Sequence, residues 1–194
     1  MQKIRRFYSR KANRSPGHDY SENGYYYVTI CAKDRREIFG RIENDRMILN
    51  RQGEIVENTW QQIPKHFTGI DLDQYIIMPN HVHGIIILDN PVGTRHALSS
   101  NKASALSSNK TNNLSIIIGS FKSAVSKYIN RLNNDPFRWQ RSFYDHRIRT
   151  DKSLQAIREY IANNSATWDT DENNIHGHSI EDKACLVPTG QLYV

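Results

Sequence analysis

The sequence predicts one mixed α+β domain, and three observations point to it. Short runs rich in β-branched and aromatic residues read as strands, apolar positions at three- and four-residue spacing between them read as helices, and the two kinds alternate along the chain. The composition agrees: 194 residues that are 38% hydrophobic and 24% charged, with ten Tyr, three Trp and six Phe, supply one sizeable core and exclude disorder throughout.

The elements follow in order. After Gly24, residues 25–32 form a first strand. Residues 38–42 and 47–49 flank Asn44-Asp45, a hairpin signal. Val56, Trp60, Ile63 and Phe67 give an amphipathic helix over 52–67, with Pro64 disturbing its last turn. Residues 70–77 and 81–88 are two strands around Met78-Pro79-Asn80, a central hairpin. Residues 91–113 turn to Ser, Asn, Lys and Ala, with Ala-Leu-Ser-Ser-Asn-Lys at 97–102 and again at 105–110; this low-complexity stretch reads as a flexible loop. Leu114, Ile117, Phe121, Val125, Ile129 and Leu132 mark a second helix, with Lys122 and Lys127 off its apolar stripe. A loop and short strand dense in Arg and aromatics span 138–149, and Asp151 or Ser153 is placed to cap a third helix running to about Asn164. The expected organisation is a basic arm over 1–24, a domain over 25–168 and an acidic tail over 169–194.

Charge is unevenly spread. The net charge is +6, yet the last 30 residues carry −4, which leaves +10 on residues 1–164. The first fourteen residues hold six cations and no acid, interleaved with Phe7 and Tyr8. Such a balance points to nucleic acid or an acidic surface as partner. No apolar run approaches the roughly 20 residues of a membrane span. The N-terminus lacks a leader pattern, and Cys31 and Cys185 give no disulfide framework, so the expected compartment is the cytoplasm, with nucleoid association when bound to DNA.

His81 and His83 are two apart in a predicted strand, so both imidazoles share one face, with Cα atoms about 6–7 Å apart. That spacing can chelate one divalent ion, and the pair starts just after a turn, where one end of the strand is anchored by Gly84 to Leu88. Tyr160 and Asn164 lie one turn apart on one face of the third helix. A second His-x-His, His176 and His178, sits in the polar tail without a strand around it. Tyr144 and His146, in Phe-Tyr-Asp-His-Arg, read as strand residues.

The run from Tyr75 to Ile87, Tyr-Ile-Ile-Met-Pro-Asn-His-Val-His-Gly-Ile-Ile-Ile, resembles the HUH strand of single-tyrosine transposases of small insertion sequences. The blocks at 139–149 and 157–164 are similar to those of REP-associated tyrosine transposases, and the three together cover most of residues 25–168. The resemblance implies a ferredoxin-like antiparallel sheet with helices packed on it. It implies an enzyme that nicks and rejoins single-stranded or hairpin DNA through a 5′-phosphotyrosine. Tyr160 would be the nucleophile, and His81, His83 and Asn164 would hold Mg²⁺ or Mn²⁺. In the REP-associated branch a Pro commonly follows that Asn, whereas Ser165 stands here. Expected DNA contacts are Lys122, Lys127, Arg138, Arg141, Arg147 and Arg149. The alternative is a non-catalytic hairpin-binding regulator; a nuclease using water is a third reading. Homodimer and monomer are both compatible with the sequence.

Overall fold

A computed structural model describes residues 21–90, 113–132 and 135–174. Most of the basic arm, the repeat-bearing stretch 91–112 and the tail from 175, with His176, His178 and Cys185, lie outside the described residues. Ten elements build the domain: β1 (Gly24–Cys31), β2 (Gly40–Glu43), β3 (Arg46–Leu49), α1 (Arg51–Gln61), α2 (Ile63–His66), β4 (Ile70–Ile77), β5 (His81–Leu88), α3 (Leu114–Leu132), β6 (Tyr144–Ile148) and α4 (Asp151–Asn163). Four strands form an antiparallel sheet in the order β4-β5-β1-β6, with β2 and β3 a separate hairpin. This is the ferredoxin-like α+β arrangement that the resemblance implies.

β1 is central, so both of its faces are covered and its side chains read as a nearly continuous apolar run. Tyr26, Val28 and Ile30 point to the face that carries α1 and α3, where Trp60, Ile117, Phe121 and Val125 close the larger core. Tyr27 faces the other way, against Ile85, Ile157 and Ile161, in a smaller core under α4. Period-two alternation thus divides the molecule into two layers, and β5 contributes to both.

Local chemistry explains most boundaries. Asn44 and Asp45 take φ of 49° and 61°, the left-handed pair of a two-residue hairpin loop. The side chain of Asn50 accepts from the N–H groups of Gln52 and Gly53 and starts α1. Where the sequence predicts one helix over 52–67, the chain breaks at Gln62, and Pro64 sits in the first turn of α2, where its missing N–H costs no hydrogen bond. α4 is capped by Thr150, whose hydroxyl accepts from Ser153 N–H at 3.2 Å, rather than by Asp151 or Ser153. β4 has a bulge between Leu72 and Tyr75. Asp73, inside that bulge, accepts a fork of hydrogen bonds from Arg158 at 2.5–3.1 Å, tying α4 to the sheet edge.

One expectation needs correction. Residues 169–174 are not tail: Trp168–Thr170 forms a short helical turn and Asp171, Asn173 and Asn174 are buried. Hydrogen bonds among polar groups, rather than an apolar period, hold this stretch, so its sequence looks unpatterned. Among the described residues no helix is long and apolar enough to cross a membrane.

Candidate functional site

The site starts from the turn between β4 and β5. The Asn80 amide donates to the backbone carbonyls of Arg35 (3.1 Å) and Asn173 (2.8 Å). Its oxygen is thereby left facing His81 Nδ1, 2.7 Å away. An amide oxygen only accepts, so His81 carries its proton on Nδ1 and presents a bare lone pair at Nε2. Two residues on, His83 Nε2 lies 2.9 Å from that atom.

His83 is held differently. Its Nδ1 meets the Tyr27 hydroxyl at 2.8 Å and the Thr29 hydroxyl at 2.9 Å, both projecting from β1 across the register Thr29↔His83. Hydroxyls donate or accept a hydrogen bond by rotating. His83 therefore donates from Nε2 to His81 in one tautomer and exposes a second bare Nε2 in the other, with either hydroxyl adapting. Both imidazoles are fully buried. Burial, with repulsion from Arg35, pulls His81 down to about 3. Burial and then His81 pull His83 well below the ordinary value, against the opposing charge of Asp171. Both rings are neutral at physiological pH, the form that ligates metal.

The Trp168–Asn174 stretch closes the site. The Trp168 ring lies 6.0 Å from that of His81, and Asp171 brings a carboxylate oxygen into a cluster whose ligand atoms all lie within 4.8 Å of those of His81 and His83. Asp171 accepts from Asn173 N–H (2.6 Å) and from the Asn164 amide (3.2 Å). That last bond fixes the orientation of Asn164 and leaves its oxygen buried with no hydrogen-bond partner among the described residues. A buried orphan acceptor beside two neutral imidazoles and a carboxylate fits a divalent cation, whose bonds would offset the desolvation of that oxygen. The mixed nitrogen and oxygen donor set suits Mn²⁺, Mg²⁺ or Zn²⁺.

Tyr160 completes the group. Its hydroxyl lies 3.4 Å from His83 Nε2, and its ring packs edge-on against those of His83 and Tyr27. Burial raises its pKa, and the charge of Asp171 raises it further, against the lowering effect of the Asn164 and Tyr27 side chains. The phenol is protonated at rest.

Comparisons with known proteins bear on this geometry. No family model matches the chain. An uncharacterized protein of Haemophilus influenzae (strain ATCC 51907 / DSM 11121 / KW20 / Rd) is 37% identical over 166 residues, 84% of this chain and 92% of that protein. The chain belongs to the same family as that protein. Among solved structures, a REP-associated tyrosine transposase bound to a REP hairpin aligns with a TM-score of 0.54 at 14% identity, over 80% of this chain and 74% of that one. The family's fold is thus that of a REP-associated tyrosine transposase, as the three sequence blocks imply. A candidate transposase from Deinococcus radiodurans R1 aligns with a TM-score of 0.44 at 13% identity, over 77% of this chain and 97% of that one.

In this family member the structure brings His81, His83, Tyr160 and Asn164 into one cluster, and adds Asp171 to it. Asp171 is invisible to sequence reasoning because it lies in an acidic stretch without period; the one hint is Trp168, a lone large aromatic in a polar segment. The six expected DNA contacts are spread over several elements. Lys122 and Lys127 sit on α3, across the sheet from α4. The Lys122 ammonium donates to the Gln140 and Ser142 carbonyls and holds that loop. Arg147 pairs with Glu22 and bonds the Asn23 carbonyl at 3.0 Å. Lys127, Arg138, Arg141 and Arg149 are exposed.

Proposed function

We propose that the protein is a tyrosine-dependent DNA strand transferase of the REP-associated type, which nicks and rejoins single-stranded DNA beside hairpins. One observation carries the reading: a half-buried tyrosine hydroxyl 3.4 Å from an imidazole nitrogen of a His-His-Asp cluster suited to a divalent ion. The hairpin carried by the structural neighbour supports DNA as the substrate class.

The residues suggest a division of labour. His81, His83 and Asp171, with the Asn164 oxygen, would hold a divalent ion, which supplies charge neutralisation at a non-bridging phosphate oxygen. Tyr160 attacks phosphorus as its O–H ionises; the Oη–P bond forms, the P–O3′ bond breaks, and the proton ends on the departing 3′ oxygen. The 5′ end stays on Tyr160 and the 3′ hydroxyl is released. The reverse step, with another 3′ hydroxyl as nucleophile, rejoins the strand and regenerates the phenol. Because one phosphodiester replaces another, no nucleotide cofactor is consumed.

The test uses labelled hairpin DNA from the region flanking the protein's own gene, with Mn²⁺ or Mg²⁺, followed by denaturing electrophoresis. The expected result is a denaturant-resistant, metal-dependent adduct that falls at least ~10³-fold in Tyr160→Phe and disappears in His81→Ala. Cleavage without an adduct would support attack by water, and binding without cleavage would support a hairpin-binding regulator; either contradicts the proposal.

A further inference from the structure

β1 leaves the sheet at Cys31, and the next turn is unusual. Asp34 and Arg35 both adopt left-handed backbone, with φ of 57° and 51°, although neither is glycine. Such conformations persist only where the surroundings impose them, and they collect at functional sites. The surroundings here are the site itself. The Arg35 carbonyl accepts from the Asn80 amide, whose oxygen in turn fixes His81. The Arg35 guanidinium donates to the Glu172 carbonyl at 2.8 Å, next to Asp171. One residue thus joins the support of His81 to the segment that supplies Asp171, and its side chain is half-buried.

We propose that Arg35 binds the scissile phosphate, its guanidinium donating to the non-bridging oxygens beside His81 and Asp171. The proposal rests on the strand-transfer reading above. A phosphodiester carries one negative charge, and attack by Tyr160 builds a second on the same oxygens. A planar guanidinium with five N–H donors can keep the Glu172 carbonyl and still grip a phosphate through paired hydrogen bonds. Its two bonds, the backbone carbonyl accepting from the Asn80 amide that fixes His81 and the guanidinium donating to the carbonyl next to Asp171, place it at the edge of the cluster.

The experiment compares wild type with Arg35→Asn, which tolerates left-handed backbone, and Arg35→Lys, which keeps the charge, after thermal melting shows that all three fold. Binding of a labelled single-stranded hairpin oligonucleotide is followed across a salt series. Arg35→Asn is expected to bind more weakly, with the log K against log salt slope shallower by about 0.7, one phosphate contact, while Arg35→Lys keeps the slope. Cleavage is then measured on the natural linkage and on one carrying a neutral methylphosphonate at the scissile position. Arg35→Asn should lose ~10²–10³-fold on the natural linkage and far less on the neutral one. Unchanged binding and slope, or an equal loss on both linkages, would overturn the role. Wild-type protein that binds but never cleaves would overturn strand transfer while the binding arm still decides Arg35; wild-type protein that binds no DNA would overturn both.

Discussion

Asn80 shows how much one side chain decides. Its amide is spent on two carbonyls, so its oxygen must face His81, and this dictates which nitrogen of the imidazole is bare. Outer partners of this kind typically tune metal affinity by about 10–100-fold. Calorimetric titration with Mn²⁺ should show such a loss in Asn80→Ala, where the tautomer is no longer fixed, and also in Asp171→Asn, where a charged donor becomes neutral. Equal affinities for wild type and Asp171→Asn would remove Asp171 from the ligand set. At this scale the sequence is informative where a regular element sets the spacing: His81 and His83 share a strand face, and Tyr160 and Asn164 share a helix face. It is silent on Asp171, Asn80 and Arg35, which sit on turns whose geometry comes from long-range hydrogen bonds.

Elements place these residues by packing against both faces of one sheet. Gly84, directly after the histidines, shows the constraint: a Cβ there would lie 2.4 Å from Cζ2 of the Trp60 ring in α1. The helix sits so close to β5 that only glycine fits, which in turn fixes the strand bearing His81 and His83. Gly84→Ala should destabilise the protein by about 1–3 kcal/mol in urea unfolding, since the added methyl meets a rigid ring. Combining it with Trp60→Phe, which removes the contacting part of the indole, should shrink that difference; full additivity would contradict the packing account. On the other face the Arg158–Asp73 fork anchors α4 two residues from Tyr160. Strands, helices and the Asn44-Asp45 turn are legible because period and turn chemistry are local. The break at Gln62 and the Thr150 cap depend on one residue's placement, which periodicity does not fix.

Across the whole molecule, two fully buried neutral histidines make stability depend on acid. The folded state holds His81 at about 3, against 6.5 for an ordinary histidine, and holds His83 low as well. Below pH of about 6.5 the unfolded chain takes up protons that the native protein refuses, so stability falls as pH drops; above it the contribution is flat. Each histidine contributes a slope of at most ~1.4 kcal/mol per pH unit. Metal-free wild type should lose urea resistance between pH 7 and 5 more steeply than His81→Asn, and parallel pH curves would contradict the burial argument. The composition predicts a single core, yet the sheet divides it into two, and the smaller layer under α4 holds the candidate site. The account stands on Tyr160 being the atom that takes the DNA. The direct measurement is mass spectrometry of peptides from the DNA adduct after nuclease trimming. The account predicts a phosphonucleotide on the peptide containing Tyr160 and on no other; a modification on Tyr27 or Tyr144, or cleaved DNA with unmodified protein, would contradict it.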